Sequence, residues 1–438
     1  VLGDPFDLDS QDWIEERLAA PFRYRLAGRE DVATYLSQQE AGLRAMDTVT
    51  VDAVGSATSQ VQEISFETAS EGDSTVVRLV SSTLYDALKA GASDVHLEST
   101  ANGLTIKYRV DGVLSPAESM PGTELAEQVI SRIKVMSELD IAERRVPQDG
   151  RFKARRDGRD IDFRVSVMPS VFGEDAVLRI LDRRALTDEL QGLSLTALGF
   201  AENLKQGLRQ LSAEPYGMVL VTGPTGSGKT TTLYAVISEV NKGLDKIITI
   251  EDPVEYQLPG VLQIPVNEQK GLTFARGLRS ILRHDPDRIM VGEIRDPETA
   301  EIAVQSALTG HLVYTTVHAN NAIDVLGRFQ HMGVDTYNLV SALNGVLAQR
   351  LVRVFCKACR GNGCADCRGT GFKGRKAIGE LLVLNDELRE LIVARAPVRK
   401  LKEAARAAGT VPLRDAATAL VEAGETTLEE INRVTFVA

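Results

Sequence analysis

Apolar residues in the second half of the chain fall into short, nearly continuous runs that are separated by helical stretches. These runs lie at 218–222, 247–250, 289–291 and 312–317. Strands that are apolar on both faces are typical of a parallel sheet covered by helices on either side. We therefore predict one α/β domain over residues 199–438.

The pattern is mixed between residues 76 and 185. Helices are predicted at 76–90 and 124–137 and strands at 95–97 and 104–110, with hairpin turns at Asp111-Gly112 and Asp157-Gly158. This segment is predicted to form a smaller α+β domain. Small polar residues at 68–75 indicate a linker, and 186–198 a connector.

Residues 1–67 are polar and helical in pattern. Trp13, Ile14 and Leu18 form a short apolar stripe at helical spacing, which favours a small docking element. The chain begins with Val1 and not with Met, so we expect this region to be only part of a longer N-terminal domain.

The 438 residues carry a formal net charge of -11. An acidic chain disfavours nucleic-acid binding, which usually needs a basic face. No apolar run reaches the roughly 18 residues of a membrane span. The composition therefore indicates a protein without nucleic-acid partners or spanning helices.

A phosphate-binding loop follows the first apolar run directly. The segment matches G-x-x-x-x-G-K-[ST], with a strand before it and a helix after it. Glycines let backbone N–H groups turn towards phosphate oxygens, Lys229 reaches the β- and γ-phosphates, and the Thr230 hydroxyl binds Mg²⁺. The predicted nucleotide-binding residues are Gly223, Pro224, Thr225, Gly226, Ser227, Gly228, Lys229, Thr230 and Thr231.

Three further residues stand at the ends of predicted strands. Glu293 follows the apolar run at 289–291, where Gly292 replaces the usual Asp, and we assign it to orient and polarise the attacking water. Glu251 is predicted to help order the Mg²⁺ shell. His318 is either a γ-phosphate contact or a structural histidine.

Arginines form two candidate anion sites. With Asp157-Gly158 as a two-residue turn, Arg156 faces Arg159 and Arg151 faces Arg164. Opposed arginines repel, so they are either splayed in water or bind an anion.

The second group is at helical spacing and is either a set of phosphate ligands or a solvated stripe; it consists of Arg276, Arg279 and Arg283.

The cysteines of the chain all lie in two adjacent C-x-x-C-x-G-x-G units. Each unit supplies two thiolates from one tight turn, which predicts a closed, structural Zn²⁺ site; free or oxidised thiols are the alternative. The four ligands are Cys356, Cys359, Cys364 and Cys367. We place this zinc element at 353–375.

Five segments in order resemble the secretion ATPase superfamily, the assembly ATPases of type II secretion and type IV pili. They are 223–230, 250–256, 282–287, 291–296 and 309–318. The resemblance implies a RecA-like ATPase domain that follows a PAS-like domain, with Arg151 and Arg164 reaching nucleotide phosphates and Arg279 and Arg283 as further ligands.

The resemblance also implies a homo-hexamer at the cytoplasmic face of the inner membrane of a Gram-negative bacterium. Its partners would be the cytoplasmic docking domain of a bitopic membrane protein and a polytopic platform protein. ATP, Mg²⁺ and structural Zn²⁺ are the expected ligands, and the membrane would be reached only through partners.

Several functions remain open at this point. The segments 379–386 and 426–430 favour type II secretion over pilus assembly, and the four cysteines argue against retraction and type IV secretion ATPases. A DNA translocase is disfavoured by the acidic charge. A scaffold that does not hydrolyse ATP is disfavoured by Lys229, Thr230 and Glu293.

Overall fold

The computed structural model describes residues 62–63, 74–156, 159–181 and 193–436. Most of the predicted docking region, Trp13 included, most of the 68–75 linker and the Asp157-Gly158 turn lie outside these residues. The chain divides into a first unit, Val1–Leu181, and a second unit, Asp182–Ala438.

The first unit is built on one sheet. Its strands are β1 (Gln62–Glu63), β2 (Asp94–Thr100), β3 (Gly103–Val110), β4 (Val113–Pro121), β5 (Gln148–Arg156), β6 (Arg159–Ser170) and β7 (Gly173–Leu181). Among the described strands the order is β1-β5-β6-β7-β2-β3-β4, antiparallel except for β1 against β5. Two amphipathic helices, α1 (Thr75–Lys89) and α2 (Thr123–Met136), share one apolar core with this sheet.

Hairpin geometry in the first unit follows the sequence. Asp111 and Gly112 both have positive φ, as a two-residue turn between twisted strands requires. In the next hairpin Arg151 lies opposite Arg164 and Arg156 opposite Arg159, as predicted. Apolar side chains alternate onto the other face, where the Phe152 and Phe163 rings stack 4.7 Å apart in the core.

The second unit contains the predicted parallel sheet. Its strands are β8 (Gly217–Thr222), β9 (Ile247–Glu251), β10 (Leu262–Pro265), β11 (Arg288–Val291), β12 (Leu312–Val317), β13 (Leu343–Phe355) and β14 (Phe372–Val383). The order in the described part is β10-β9-β11-β12-β8-β13-β14, parallel except for β13 against β14. Separate apolar clusters cover its two faces, which explains the continuous apolar runs.

Helices surround this sheet. They are α3 (Glu202–Ala213), α4 (Lys229–Val240), α5 (Phe274–Ile281), α6 (Pro297–Leu308), α7 (Asp324–His331), α8 (Thr336–Ala342), α9 (Asp386–Val393), α10 (Val398–Ala407), α11 (Leu413–Glu422) and α12 (Leu428–Val434). The end of the predicted connector also packs here, because Leu195 is buried in the core of this unit. Among the residues that the structure describes, no helix has the length and apolar character needed to cross a membrane.

Candidate functional site

The phosphate loop joins β8 to α4 and depends on glycine. Gly223, Gly226 and Gly228 all have positive φ, a conformation that side chains with a Cβ rarely adopt. A Cβ on Gly223 would lie 2.5 Å from the carbonyl oxygen of Gln349. The loop therefore turns sharply against β13 and leads into α4, whose N-terminus presents backbone N–H groups for an anion.

Two adjacent residues of β13 support the loop, and no local sequence motif marks either of them. Ala348 pairs with Thr222, so Gln349 and Arg350 follow beside the loop. The buried Gln349 amide donates 2.7 Å to the carbonyl oxygen of Ser227 and accepts 2.8 Å from the Thr232 hydroxyl. It therefore holds the loop and the start of α4 together.

Arg350 is a buried cation under the same loop. It is 7% exposed and donates 2.8 Å to the Gln349 carbonyl and 2.7 Å to the Asn320 carbonyl. In the described part of the chain, no carboxylate lies within 4.0 Å of its guanidinium. Burial lowers the pKa of Arg350, and the Glu380 carboxylate only partly opposes this. A buried charge without a carboxylate partner is costly, and an arriving phosphate would offset that cost.

Lys229 opens α4 and folds back over the loop. Its Nζ donates 3.0 Å to the Gly223 carbonyl and 3.1 Å to the Pro224 carbonyl. Burial lowers its pKa, Glu293 opposes that shift, and Arg350 adds to it. No carboxylate of the described residues forms an ion pair with this ammonium group, so it could exchange its two carbonyl contacts for phosphate oxygens.

Strand pairing brings Glu293 and His318 to this loop. Thr222 pairs with Val317, and its hydroxyl donates 2.8 Å to the Val317 carbonyl, so the next residue, His318, meets the backbone of Gly223. The Thr316 hydroxyl donates 2.8 Å to the Gly292 carbonyl, which fixes Glu293 beside β12.

Glycine at position 292 has a local steric cause. A Cβ there would lie 3.3 Å from the Ile250 carbonyl oxygen, so the glycine lets the end of β11 approach β9 closely.

Glu293 and His318 interact directly. Oε2 of Glu293 lies 3.6 Å from Nε2 of His318, and its other oxygen forms an ion pair with Arg295. Burial and the charge of Lys229 lower the pKa of His318, while Glu293 opposes them. Lys229, Glu293 and His318, three of the residues predicted to act in catalysis, are thus grouped around the loop.

The fourth, Glu251, is placed differently. Its carboxylate is 2% exposed and accepts hydrogen bonds from Tyr234, Thr249 and Gln263. Burial, followed by the charge of Glu251, raises the pKa of Tyr234, which therefore stays a donor. These contacts give Glu251 a structural role between β9 and α4; its part in a Mg²⁺ shell stays a prediction.

The arginines around α5 do not form the continuous helical face that their spacing suggested. The helix ends at Ile281, before Arg283, because the chain turns and Asp285 adopts a positive φ. Arg279 forms a 2.6 Å ion pair with Glu298, and Arg283 donates to the Arg279 carbonyl. Nucleotide binding by Arg279 and Arg283 stays a prediction.

In the first unit, Arg151 and Arg164 line a cavity of 610 Å³ together with Arg179 and Asp94. Both arginines are exposed. The geometry agrees with an anion site on this face of the sheet, and its assignment to nucleotide is a prediction.

The four cysteines lie in the connection between β13 and β14. Neighbouring Sγ atoms are 3.6, 3.7 and 3.9 Å apart, and all four lie within 4.8 Å of one another. A tetrahedral Zn²⁺ with Zn–S bonds of about 2.3 Å needs sulfurs roughly 3.8 Å apart. Among the described residues none of these cysteines forms a disulfide, which leaves all four sulfurs available to a metal. The set therefore fits a structural Zn²⁺.

Cys367 has a site suited to a thiolate. Burial alone would raise its pKa, but hydrogen bonds from the backbone N–H groups of Cys364 and Gly371 outweigh burial and lower the pKa to about 6. A thiol already ionised near neutral pH is a good metal ligand.

Comparisons with known proteins identify the family of the chain. A model of the family described as type II/IV secretion system protein matches residues 69–433. The chain is 45% identical over 401 residues to type II secretion system protein E of Pseudomonas aeruginosa, covering 86% of this chain and 78% of that protein. It is 45% identical over 391 residues to type II secretion system ATPase E of Vibrio cholerae, covering 84% of this chain and 76% of that protein.

Among solved structures, the chain resembles the pilus retraction motor PilT with bound ADP. The TM-score is 0.53 at 29% identity, and the match covers 81% of this chain and 96% of that chain. The family model and these relatives span both units and the phosphate loop, and the chain therefore belongs to the type II/IV secretion system protein family and is one of its ATPases.

Proposed function

We propose that this chain hydrolyses ATP on the phosphate loop and that hydrolysis powers protein export by type II secretion. The observation that carries the proposal is the convergence of Lys229, Glu293 and His318 around Gly223, from α4, β11 and β12. Preorganised charge around the transferred phosphoryl group is the main way in which phosphoryl transfer is catalysed.

The nucleotide would bind to the phosphate loop in its present backbone conformation. Backbone N–H groups of 223–231 would contact the α- and β-phosphates, while Lys229 would move from the Gly223 and Pro224 carbonyls to the β- and γ-phosphates. The related motor PilT was solved with bound ADP, which supports a nucleotide at this place. Thr230 would hold Mg²⁺, which neutralises phosphate charge when bound.

Glu293 is the group best placed to orient the attacking water. It lies at the end of β11, its side chain is 16% exposed, and it faces His318 and the Lys229 ammonium. Arg295 holds one of its oxygens in the present arrangement and also lies 3.8 Å from Asp252. A neutral His318 would leave the other oxygen able to accept a proton from water.

Type II secretion is favoured over pilus assembly by the named relatives. The P. aeruginosa and V. cholerae proteins, each 45% identical, both carry type II secretion names. We further propose that this chain forms a homo-hexamer at the cytoplasmic face of the inner membrane. The hexamer would dock to a bitopic membrane protein and a polytopic platform protein. Family membership supports an oligomeric motor, and the acidic net charge of the chain disfavours nucleic acid.

Steady-state phosphate release tests the enzymatic part. We expect Glu293→Gln to lower kcat by about 10²–10⁴-fold, the range for loss of a positioned base. ATP binding should remain, because Lys229 and the loop are intact. Glu301→Gln, which removes an exposed carboxylate from α6, is the matched control and should hydrolyse ATP like the wild type. Equal rates for Glu293→Gln and wild type would refute the assignment.

A pull-down tests the purpose of hydrolysis. The bait is the full chain with Glu293→Gln, loaded with ATP, in detergent-solubilised membranes of the host. Recovery of a type II inner-membrane platform supports the proposal. Recovery of pilus proteins would replace it with pilus assembly, and recovery of nucleic acid would leave the ATPase but refute its role in secretion.

A further inference from the structure

Thr222 ends β8 and is hydrogen-bonded to the residues on both sides of His318. The side chain is fully buried, and its hydroxyl accepts 2.9 Å from the Ala319 N–H. The carbonyl oxygens of Val317 and Ala319 lie 2.8 and 3.1 Å from the same hydroxyl, which donates to this pair. Because both neighbours of His318 are bonded to one side chain, the backbone of His318 is fixed relative to β8.

Thr316 holds Glu293 in the same manner. Its side chain is 2% exposed, and its hydroxyl donates 2.8 Å to the Gly292 carbonyl. Its own carbonyl accepts 2.9 Å from the N–H of Ile294, which is buried in the core of this unit. The residues before and after Glu293 are thus both bonded to Thr316, one through the side chain and the other through the backbone.

The strand order links these contacts to the phosphate loop. β12 lies between β8 and β11, and all three strands are parallel, so their carboxyl ends meet at one edge of the sheet. Thr222, directly before the loop, fixes the residue after β12. Thr316, near the end of β12, fixes the segment after β11. The 3.6 Å separation of Glu293 and His318 is therefore set relative to the loop by two hydroxyl groups.

Thr315 provides an internal comparison. It precedes Thr316 in β12 and is also fully buried. Among the described residues its hydroxyl has no hydrogen-bond partner. Threonine is common in strands because a β-branched side chain packs well there, and Thr315 needs no other explanation. The bonded hydroxyls of Thr222 and Thr316 have a further effect, because each one holds a residue of the site.

We propose that Thr222 and Thr316 are positioning residues for ATP hydrolysis, which hold His318 and Glu293 at the spacing that the reaction needs. This inference rests on the proposed function, because it takes Glu293 as the group that orients the attacking water. Both threonines act through the residues that they hold. A misplacement of about 1 Å at a reacting group can cost about 10²-fold in rate, so these hydrogen bonds should matter for kcat.

Two substitutions of Thr222 separate its hydroxyl from its methyl group. Valine keeps the shape of the side chain and removes the hydroxyl, whereas serine keeps the hydroxyl. We expect Thr222→Val to lower kcat about ten- to a hundredfold and to change KM for ATP by less than about threefold, because Lys229 and the loop are intact. Thr222→Ser should keep most of kcat. A serine variant that is less active than the valine variant would show that Thr222 only fills space, and would refute its positioning role.

Thr316→Val and Thr315→Val form a matched pair. Each removes a buried hydroxyl from the same strand, at adjacent positions, but only the hydroxyl of Thr316 has a partner. We expect Thr316→Val to lower kcat as Thr222→Val does, and Thr315→Val to match the wild type in kcat and KM. Equal kcat in Thr316→Val and Thr315→Val would overturn the role of Thr316.

Chemical modification of His318 tests positioning without ATP hydrolysis. Diethyl pyrocarbonate reacts with the neutral imidazole, and the His318 side chain is 49% exposed. Modification rates of the full chain at a series of pH values, followed for each peptide by mass spectrometry, give the pKa of each histidine. Burial and the charge of Lys229 lower the pKa of His318, so a ring released by Thr222→Val should titrate closer to the ordinary 6.5.

This measurement separates the inference from the proposed ATPase function. A pKa of His318 that rises in Thr222→Val, but not in Thr315→Val, supports the positioning role even if no ATP is hydrolysed. His311, at the other end of β12, is the reference within the same chain and should keep its pKa in all variants. A pKa of His318 that is the same in wild type, Thr222→Val and Thr315→Val overturns the inference.

Discussion

Oε2 of Glu293 faces Nε2 of His318 at 3.6 Å, across the adjacent ends of β11 and β12. The parallel pairing of β11 with β12 and of β12 with β8 brings this pair to the phosphate loop. The charges of Lys229 and Arg295 also act on His318 and lower its pKa. The protonation of His318 therefore decides whether Glu293 faces a neutral ring or a cation.

Hydrolysis should depend on pH through His318. Burial and Lys229 lower its pKa below the ordinary 6.5, so the ring is neutral at pH 7 and above. As the pH falls through that lowered pKa, the imidazolium would pair with Glu293 and withdraw it from water. We expect kcat, measured between pH 5 and 8 at saturating ATP, to fall on the acid side.

His318→Gln should remove the part of this acid limb that His318 causes. The control is His311→Gln, at the opposite end of β12, where the ring contacts the Ser306 carbonyl at 3.0 Å. An acid limb that is the same in His318→Gln and wild type would contradict the prediction.

Arg350→Met should weaken ATP binding without unfolding the protein. Methionine fills a similar volume, and the substitution removes the cost of burying a charge while it also removes hydrogen bonds to the Gln349 and Asn320 carbonyls. Loss of the positive charge under Gly223 should raise KM for ATP by about tenfold or more, since contacts to charged groups contribute about 1.5–3 kcal/mol. KM and melting temperature are both measured.

Arg375→Met is the matched control, because this arginine lies exposed on β14. A melting temperature that falls together with activity in Arg350→Met would show that Arg350 serves the fold and not the nucleotide.

The cysteine set should hold one Zn²⁺ per chain, as measured by elemental analysis after dialysis. Cys359→Ser should lose the metal and lower the melting temperature, because the β13–β14 connection is then closed only by its turns. Asp366→Asn is the control: Asp366 lies 3.7 Å from the Cys356 sulfur and pairs with Lys373, but it is not one of the four ligands. Full metal content in Cys359→Ser would contradict the four-thiolate site.

Glu430 should make stability sensitive to acid. Its carboxylate is buried and binds Arg353 at 2.8 Å and Arg433 at 2.6 Å. Burial would raise its pKa, but the two arginines outweigh burial and lower it from 4.5 to about 2. A shift of that size corresponds to about 3 kcal/mol.

The sign follows from the lowered pKa. The stabilisation that ionised Glu430 gives to the folded state is complete above pH 4.5, the ordinary pKa of a glutamate. It is lost as the pH falls towards the lowered pKa of about 2. The difference in unfolding free energy between wild type and Glu430→Gln, from denaturant titrations, should therefore be largest near pH 6 and shrink by pH 3. A difference that is independent of pH would contradict this.

Local patterns determined much of this protein. The phosphate loop, the apolar strands of the second unit, the paired cysteine knuckles and the Arg151–Arg164 register all depend on residues close in sequence. Short-range spacing is sufficient for them because a turn, a strand period or a hairpin register is set by its own backbone. The order of the five motifs along the chain supported the resemblance to secretion ATPases.

Tertiary structure alone decided the rest. Arg350 and Gln349 reach the loop because β13 pairs with β8, and Arg179 meets Asp94 because β7 pairs with β2. The Glu251 carboxylate lies in a hydrogen-bond network because Tyr234 and Gln263 donate to it. No local period encodes these contacts, because they join strands and helices distant in sequence, and only the packed fold shows which polar groups are buried together.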